Sequence, residues 1–344
     1  MKAVVLEKKN ELTVREVPDP GRPGEGELRI APRSVGICGS DVHYVENGRI
    51  GKFVVEKPMV LGHEASGVVT EVGPGVEGFA VGDRVAMEPG IPDLSSKASR
   101  LGMYNVDPAV RFWATPPVDG CLCEAVVHPA DFTYHLPDEL SFGEGALLEP
   151  MAVAVHAVEK GGVKPGDTVA VSGAGTVGLL TACIALACGA GKVYISDVAV
   201  AKLDTAGQIP GLRTVNLQQE VLSQAVADET DGWGADVVLE ASGAMSAYKD
   251  LWKVGAPGNT TVLVGMPAGE VPVDVVELQS RETQVETVFR YANDYPRAIE
   301  LAASGRVDLS RFITETFRME DAVRVFQRAA ESRPTDLKLQ FDLS

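Results

Sequence analysis

Cysteine is scarce in this chain: five in 344 residues, an odd number without the regular spacing of a disulfide framework. A scaffold stapled by disulfides is therefore excluded, and a reducing compartment, the cytoplasm, is expected. Basic residues are outnumbered as well. Thirty-one Lys and Arg stand against 48 Asp and Glu, a formal charge of -17, which repels nucleic acid and anionic membrane surfaces and favours a small, neutral partner. The apolar stretch at residues 177–190 is too short to span a membrane and contains Gly178 and Gly189. It reads as a buried helix between two strands. Charge enters at Lys2 and Glu7 before any apolar run of signal-peptide length, so export is not expected. There is no low-complexity segment and no internal repeat.

With 45% apolar residues, a chain of this length can fill two cores. Up to about residue 150, runs such as Lys2-Ala3-Val4-Val5-Leu6, Glu27-Leu28-Arg29-Ile30 and Gly67-Val68-Val69-Thr70-Glu71-Val72 alternate with Gly and Pro turns. That pattern predicts β structure of barrel type. From about residue 152 the rhythm changes: strands at Thr168, Lys192, Ala235 and Thr260 alternate with helical stretches, which predicts a doubly wound parallel sheet. Beyond about 287, helical stretches at residues 294–304 and 319–332 precede a run at 337–341 that reads as a strand able to return to the N-terminal domain. The expected fold class is α/β with two domains, over residues 1–151 and 152–286, and a C-terminal part, 287–344, rejoining the first.

Gly173-Ala174-Gly175-Thr176-Val177-Gly178 follows one predicted strand and opens a predicted helix. In that setting Gly173 permits a tight turn, Gly175 lets the backbone approach a pyrophosphate, and Gly178 allows close helix-to-strand packing, with the helix amides facing the phosphates. Asp197 ends the next strand, 22 residues after Gly175, and no basic residue adjoins it in Ser196-Asp197-Val198-Ala199. A carboxylate there accepts hydrogen bonds from the adenosine ribose and repels a 2′-phosphate, so NAD is the predicted cofactor.

Cys38, the run Gly62-His63-Glu64, and Glu149 in Leu148-Glu149-Pro150 supply soft and hard donors for one catalytic zinc. Their spacing excludes a zinc finger, whose ligands come in close pairs, and suits distant segments converging around an open coordination position. Other candidates carry less. Cys121 and Cys123, two apart in a predicted strand, and Cys183 and Cys188, on the predicted nucleotide-domain helix, read as small buried core residues. His128, His135 and His156 have no ligand context.

Residues 62–76, Gly-His-Glu followed by glycines at fixed offsets, reproduce the zinc-containing alcohol dehydrogenase signature. Here the chain resembles the medium-chain dehydrogenase/reductase superfamily and, within it, the polyol dehydrogenases acting on sorbitol and xylitol. The closer resemblance rests on residues 35–44 (VGICGSDVHY), 111–120 (RFWATPPVDG), Leu148-Glu149-Pro150 and residues 288–293 (VFRYAN), and it covers essentially the whole chain. It implies a GroES-like catalytic domain interrupted by a Rossmann NAD-binding domain. It also implies that Cys38, His63 and a carboxylate hold the zinc: Glu64, with Glu149 acting through water, or Glu149 directly. Ser40 and His43 fall on the family's proton path, and Tyr44, Phe112, Glu149, Arg290 and Tyr291 on its substrate side, Phe112 as an apolar wall. Val264 and Phe289 join Gly173, Gly175, Thr176, Val177, Gly178 and Asp197 on the cofactor side. The implied reaction is oxidation of a polyol's secondary hydroxyl, xylitol to D-xylulose or sorbitol to fructose, with hydride passing to NAD, and the reverse. The implied assembly is a homotetramer or homodimer. The alternatives are a threonine or butanediol dehydrogenase, or a catalytically silent NAD-binding structural protein.

One interval departs from the family. Many members carry a structural zinc on four cysteines spaced C-x2-C-x2-C-x7-C, and here those positions hold Asp93, Ser96, Ser99 and Asp107. With no thiolate left, a structural zinc is not expected, and the lobe at residues 91–110 must be held by hydrogen bonds and packing. One catalytic zinc per subunit is the expected content.

Overall fold

In the strand Glu27–Gly36, buried side chains alternate with half-buried ones until the last three residues, which are all buried. This period of two marks a sheet with one face on a core. The computed structural model describes residues 1–344. The chain gathers into two units, Met1–Glu149 with Ala298–Ser344, and Pro150–Arg297.

The first unit is built on a seven-stranded sheet. Its strands run in the order Thr133–His135, Arg84–Met87, Glu64–Val72, Glu27–Gly36, Lys338–Asp342 and Ile313–Arg318, with Val126–Pro129 also paired to Glu27–Gly36. A smaller sheet joins Glu11–Glu16, Lys2–Lys8 and Met59–Val60. Between them Val4, Leu6, Leu28, Ile30, Leu61, Val69, Leu122 and Phe341 form one core, each large side chain contributing roughly 1.5–3 kcal/mol by burial. That core fixes the register, since a slip of one residue would turn every side chain to the other face. Gly36 lies opposite Glu64, Gln340 lies opposite Gly36, and the Ile37 amide donates to the Leu339 carbonyl at 3.0 Å. Three chain segments distant in sequence therefore meet at one corner of the sheet, from which the chain passes through Cys38 into the helix Gly39–Asn47.

The second unit is a six-stranded, wholly parallel sheet, ordered Leu212–Asn216, Lys192–Asp197, Thr168–Ser172, Ala235–Glu240, Gly255–Leu263, Gln284–Thr287. Strand order reverses beside Thr168–Ser172, the switch point at which open α/β sheets bind ligands. The helix Thr176–Ala187 that follows is buried from Gly178 to Ala185. No helix of the chain is long and apolar enough to cross a membrane.

Two expectations about cysteine need correction. Cys188 is exposed, because it caps the end of its helix rather than lying within the buried face. Cys121 and Cys123 are buried, but the segment is not a regular strand: it has an isolated bridge from Cys123 to Ala3, and its Cys121 and Leu122 amides bond the Gly62 and Leu61 carbonyls at 2.8 and 2.9 Å.

Candidate active site

The sheet corner brings Cys38, His63 and Glu64 together, with their donor atoms all within 4.8 Å of one another. Gly62 makes this possible. It takes φ +86°, and a Cβ there would lie 2.9 Å from a Val35 methyl, so only glycine can turn the chain into His63 at this point. Asp41, buried on the first turn of the helix, accepts from the Cys38 amide at 3.1 Å and from the Gly62 amide at 3.2 Å. It thereby ties the two ligand-bearing segments to each other. Its Oδ1 also lies 3.6 Å from His63 Nδ1, just beyond hydrogen-bond range, so that nitrogen counts as a buried polar atom without a partner. The facing carboxylate favours hydrogen on Nδ1 and leaves Nε2 for a metal, the arrangement by which carboxylates orient ligating histidines.

Lys338, the first residue of its strand and itself buried, donates to both oxygens of Glu64 at 2.6 and 2.7 Å and to the Ile37 carbonyl at 3.1 Å. Burial would lower its pKa, but Glu64 and then Cys38 outweigh burial and hold it above the ordinary lysine range. His63 behaves alike: burial pushes it down, and Asp41 and Cys38 overturn that and raise it well above an ordinary histidine. Both shifts report a corner whose carboxylates and thiol attract positive charge. A carboxylate has about four lone-pair directions, so Glu64 can accept from Lys338 and still face a metal. The sulfur, nitrogen and oxygen donors of Cys38, His63 and Glu64, gathered within 4.8 Å, suit zinc with an open position.

The other expected residues of this unit are placed as follows. Ser40 is half-buried and His43 exposed, three residues apart on the helix Gly39–Asn47 and so on one face of it. Tyr44 is buried on the same helix. Phe112 is buried with its ring 5.6 Å from that of His63. Glu149 is buried at the first turn of the helix Leu148–Gly161. It lies outside the three-donor group, although its charge is felt by Lys338.

In the second unit Gly173 takes φ +102°. A Cβ on Gly178 would fall 1.9 Å from the Gly173 carbonyl oxygen, whereas one on Gly175 would meet nothing within 4 Å. The turn, the close packing and the open approach face are thus divided among the three glycines. Thr176 and Val177 are half-buried in the first turn of the helix, and Val264 is half-buried at the end of the neighbouring strand, its amide bonded to the Glu240 carbonyl at 2.8 Å. Asp197 accepts from the Ala174 amide at 2.9 Å and the Ala199 amide at 2.8 Å, which fastens the glycine loop to the acid. Lys202, which the reading of residues 196–199 missed, lies 4.0 Å from the Asp197 carboxylate. Phe289 is exposed and covered on one side by the Arg290 guanidinium, 4.8 Å from its ring centre. Tyr291 is buried, its ring 5.6 Å from that of Tyr295.

Residues 24–138 match the alcohol dehydrogenase GroES-like domain, and residues 176–304 match the zinc-binding dehydrogenase domain. Over 332 residues the chain is 49% identical to the D-xylulose reductase of Morganella morganii, covering 96% of this chain and 98% of that one. The chain belongs to the polyol dehydrogenase family of zinc-containing medium-chain dehydrogenases. Sorbitol dehydrogenase of Gallus gallus is 39% identical over 342 residues, 99% of this chain and 96% of its own. The solved 2R,3R-butanediol dehydrogenase of Bacillus subtilis superposes with a TM-score of 0.91 at 28% identity, covering 99% of each chain.

In this polyol dehydrogenase the lobe without cysteines is closed by hydrogen bonds at the very positions where thiolates would stand. Buried Asp107 accepts from the Asp93 amide at 2.7 Å through one oxygen and from the Ala109 amide at 3.1 Å through the other. Asp93 accepts from the Ser95 amide and hydroxyl at 2.8 and 2.7 Å. The Ser96 hydroxyl donates to the Ser99 hydroxyl and accepts from the Ser99 amide, both at 3.1 Å, and so caps the short helix Lys97–Arg100. A buried Glu88 anchors the lobe to the sheet, taking the hydroxyls of Tyr104 at 2.7 Å and Tyr134 at 2.9 Å.

Proposed function

We propose that this dehydrogenase oxidises a secondary hydroxyl of a linear polyol, xylitol to D-xylulose or sorbitol to fructose, with NAD as hydride acceptor, and runs the reverse reduction. The observation that carries the reading is the Cys38–His63–Glu64 group, braced by Asp41 and Lys338, in a chain 49% identical to a D-xylulose reductase. Bound zinc supplies Lewis-acid polarisation of the reacting oxygen and bound NAD supplies the hydride acceptor.

The chain's own residues do the rest. Cys38, His63 and Glu64 are the metal ligands in this reading, with Glu149 as the nearby carboxylate acting through water. Asp41 holds the His63 tautomer, and Lys338 balances the charge on Glu64. Ser40 and His43, on one helix face that runs from half-buried to exposed, are assigned to carry the hydroxyl proton to solvent. Tyr44, Glu149, Arg290 and Tyr291 are assigned to the remaining hydroxyls, because a site built to hydrogen-bond them rejects substrates that lack them. Phe112 forms the apolar wall beside His63. Gly173, Gly175, Thr176, Val177, Gly178, Val264 and Phe289 are assigned to the dinucleotide, and Asp197 to its ribose.

We assign one zinc per chain, since the hydroxyls and carboxylates of the lobe already bond one another. We read the protein as a cytoplasmic homo-oligomer. Its five thiols are all outside disulfides, and the sheet-edge strand Gln284–Thr287 exposes Val285.

The fold likeness to a butanediol dehydrogenase supports a second reading, action on a short diol. Rates of NADH formation across xylitol, sorbitol and 2,3-butanediol separate the two, and dominance of butanediol would overturn the first. No NADH from any alcohol, in a protein with full zinc, would leave only the silent structural reading.

A further inference from the structure

His156 and Asp294 lie outside every role assigned above. The Asp294 carboxylate is fully buried, and a buried charge persists only where donors replace water. Its Oδ2 accepts from His156 Nδ1 at 2.9 Å and from the Ala292 amide at 3.2 Å. A carboxylate can only accept, so His156 carries its hydrogen on Nδ1. Oδ1 is buried without a hydrogen bond, with Arg297 Nη1 3.8 Å away. Arg297 is itself bonded to Glu159. His156 and Glu159 are three residues apart on the helix Leu148–Gly161 and so share a face. That face therefore grips the start of the helix Tyr295–Ala303 through Asp294 and Arg297.

The gripped end closes a short connection, residues 288–294, in which Arg290 and Asn293 take φ +59° and +65°. Side-chain-bearing residues avoid that region, and a segment holding two of them keeps its shape only where its surroundings over-determine it. The ties from Asp294 to Ala292 within the connection and to His156 on the helix supply such constraint.

We propose that His156 and Asp294 clamp residues 288–294 to the helix Leu148–Gly161 and so hold Arg290 in the conformation that binds the polyol. They are positioning residues that set substrate affinity, and the inference rests on the reading that Arg290 serves the polyol. Removing His156 leaves the buried carboxylate with the Ala292 amide and the longer-range charge of Arg297, 3.8 Å away, and the segment then moves to reach water.

The test uses the zinc-loaded full chain, with KM and kcat for xylitol measured beside NADH affinity by fluorescence. His156→Leu should raise the xylitol KM by about tenfold while kcat changes less than about threefold, the signature of lost binding rather than lost chemistry. NADH affinity should change less than about threefold, because Phe289 is only one of the residues assigned to the dinucleotide. His156→Gln, which can still donate to Asp294, should recover much of the loss, and it keeps the test available if the leucine variant fails to fold. Arg290→Ala should raise KM by itself, and adding His156→Leu to it should cost little more, because the two act in series. Three results overturn the clamp: an unchanged xylitol KM in folded His156→Leu when Arg290→Ala raises it, full additivity in the double variant, or a parallel fall in kcat and NADH affinity. An unchanged KM in Arg290→Ala would instead remove the underlying reading of Arg290.

Discussion

Two parts of the first unit carry clustered polar donors, and they differ in where those donors point. At the sheet corner, the sulfur, nitrogen and oxygen donors of Cys38, His63 and Glu64 converge within 4.8 Å, and burial fails to hold down the pKa values of His63 and Lys338. In the lobe, Asp93, Ser96, Ser99 and Asp107 turn their oxygens on one another and on backbone amides. Counting acids would rank the two regions as equals. What distinguishes the corner is a set of mostly buried soft and hard donors aimed at one point, whereas the lobe's oxygens accept hydrogen bonds from within the lobe.

Predictions follow from that contrast, the largest first. Replacing Cys38 by Ser should lower turnover at least ~10³-fold, because the lost Lewis-acid stabilisation is worth several kcal/mol. Steady-state NADH formation with zinc measured on the same sample checks this. Lys338→Met should destabilise the metal-free protein by about 3–5 kcal/mol, since it strands a buried carboxylate. Urea unfolding gives the number, and zinc should return part of it; a loss below about 1 kcal/mol would mean that the ion pair contributes little.

His128 is buried, its ring tilted against that of Trp113 with centroids 4.5 Å apart and its Nε2 bonded to the Phe132 carbonyl. Burial pushes its pKa down to about 4, below the value near 6.5 of an unfolded chain. The unfolded state therefore binds more protons between these values, and stability present above pH ~6.5 is lost as pH falls to ~4, by about 3 kcal/mol. His128→Leu should flatten that part of the pH–stability curve. A smaller effect, about 1–3 kcal/mol, is expected for Asp107→Ala, which removes the acceptor of two lobe amides without changing zinc content. The smallest concerns the cofactor. Asp197→Ala should raise NADP use relative to NAD, since Lys202 would remain without its counter-charge, and an unchanged preference would exclude Asp197 from the ribose site.

The corner's three converging donors were legible because a soft donor and Gly-His-Glu are rare together, and the glycine loop because it sits between a strand and a helix. The residues that tune them were not. Lys338 reaches Glu64 across 274 residues, and only sheet register brings them together. Asp41 offered a local signal, an acid three residues after Cys38 at a helix start, the position of a capping-box acid. Lys202 stands five residues past Asp197, beyond its immediate sequence neighbours, and the helix start brings its ammonium back to within 4.0 Å of the carboxylate. The strands Leu212–Asn216 and Gln284–Thr287 escaped the pattern because Arg, Gln and Glu occupy them at the two edges of the sheet, where the apolar run of a central strand is not needed. The acids near His156 in sequence, Glu149 and Glu159, are not its partner, which lies 138 residues on.

The most direct test of the central claim is a zinc titration of the stripped protein, following xylitol-dependent NADH formation against metal content by elemental analysis. Activity should rise in proportion to zinc and level off at one ion per chain. Full activity without zinc, or a plateau reached only at two ions with the second between Asp93 and Asp107, would contradict the account.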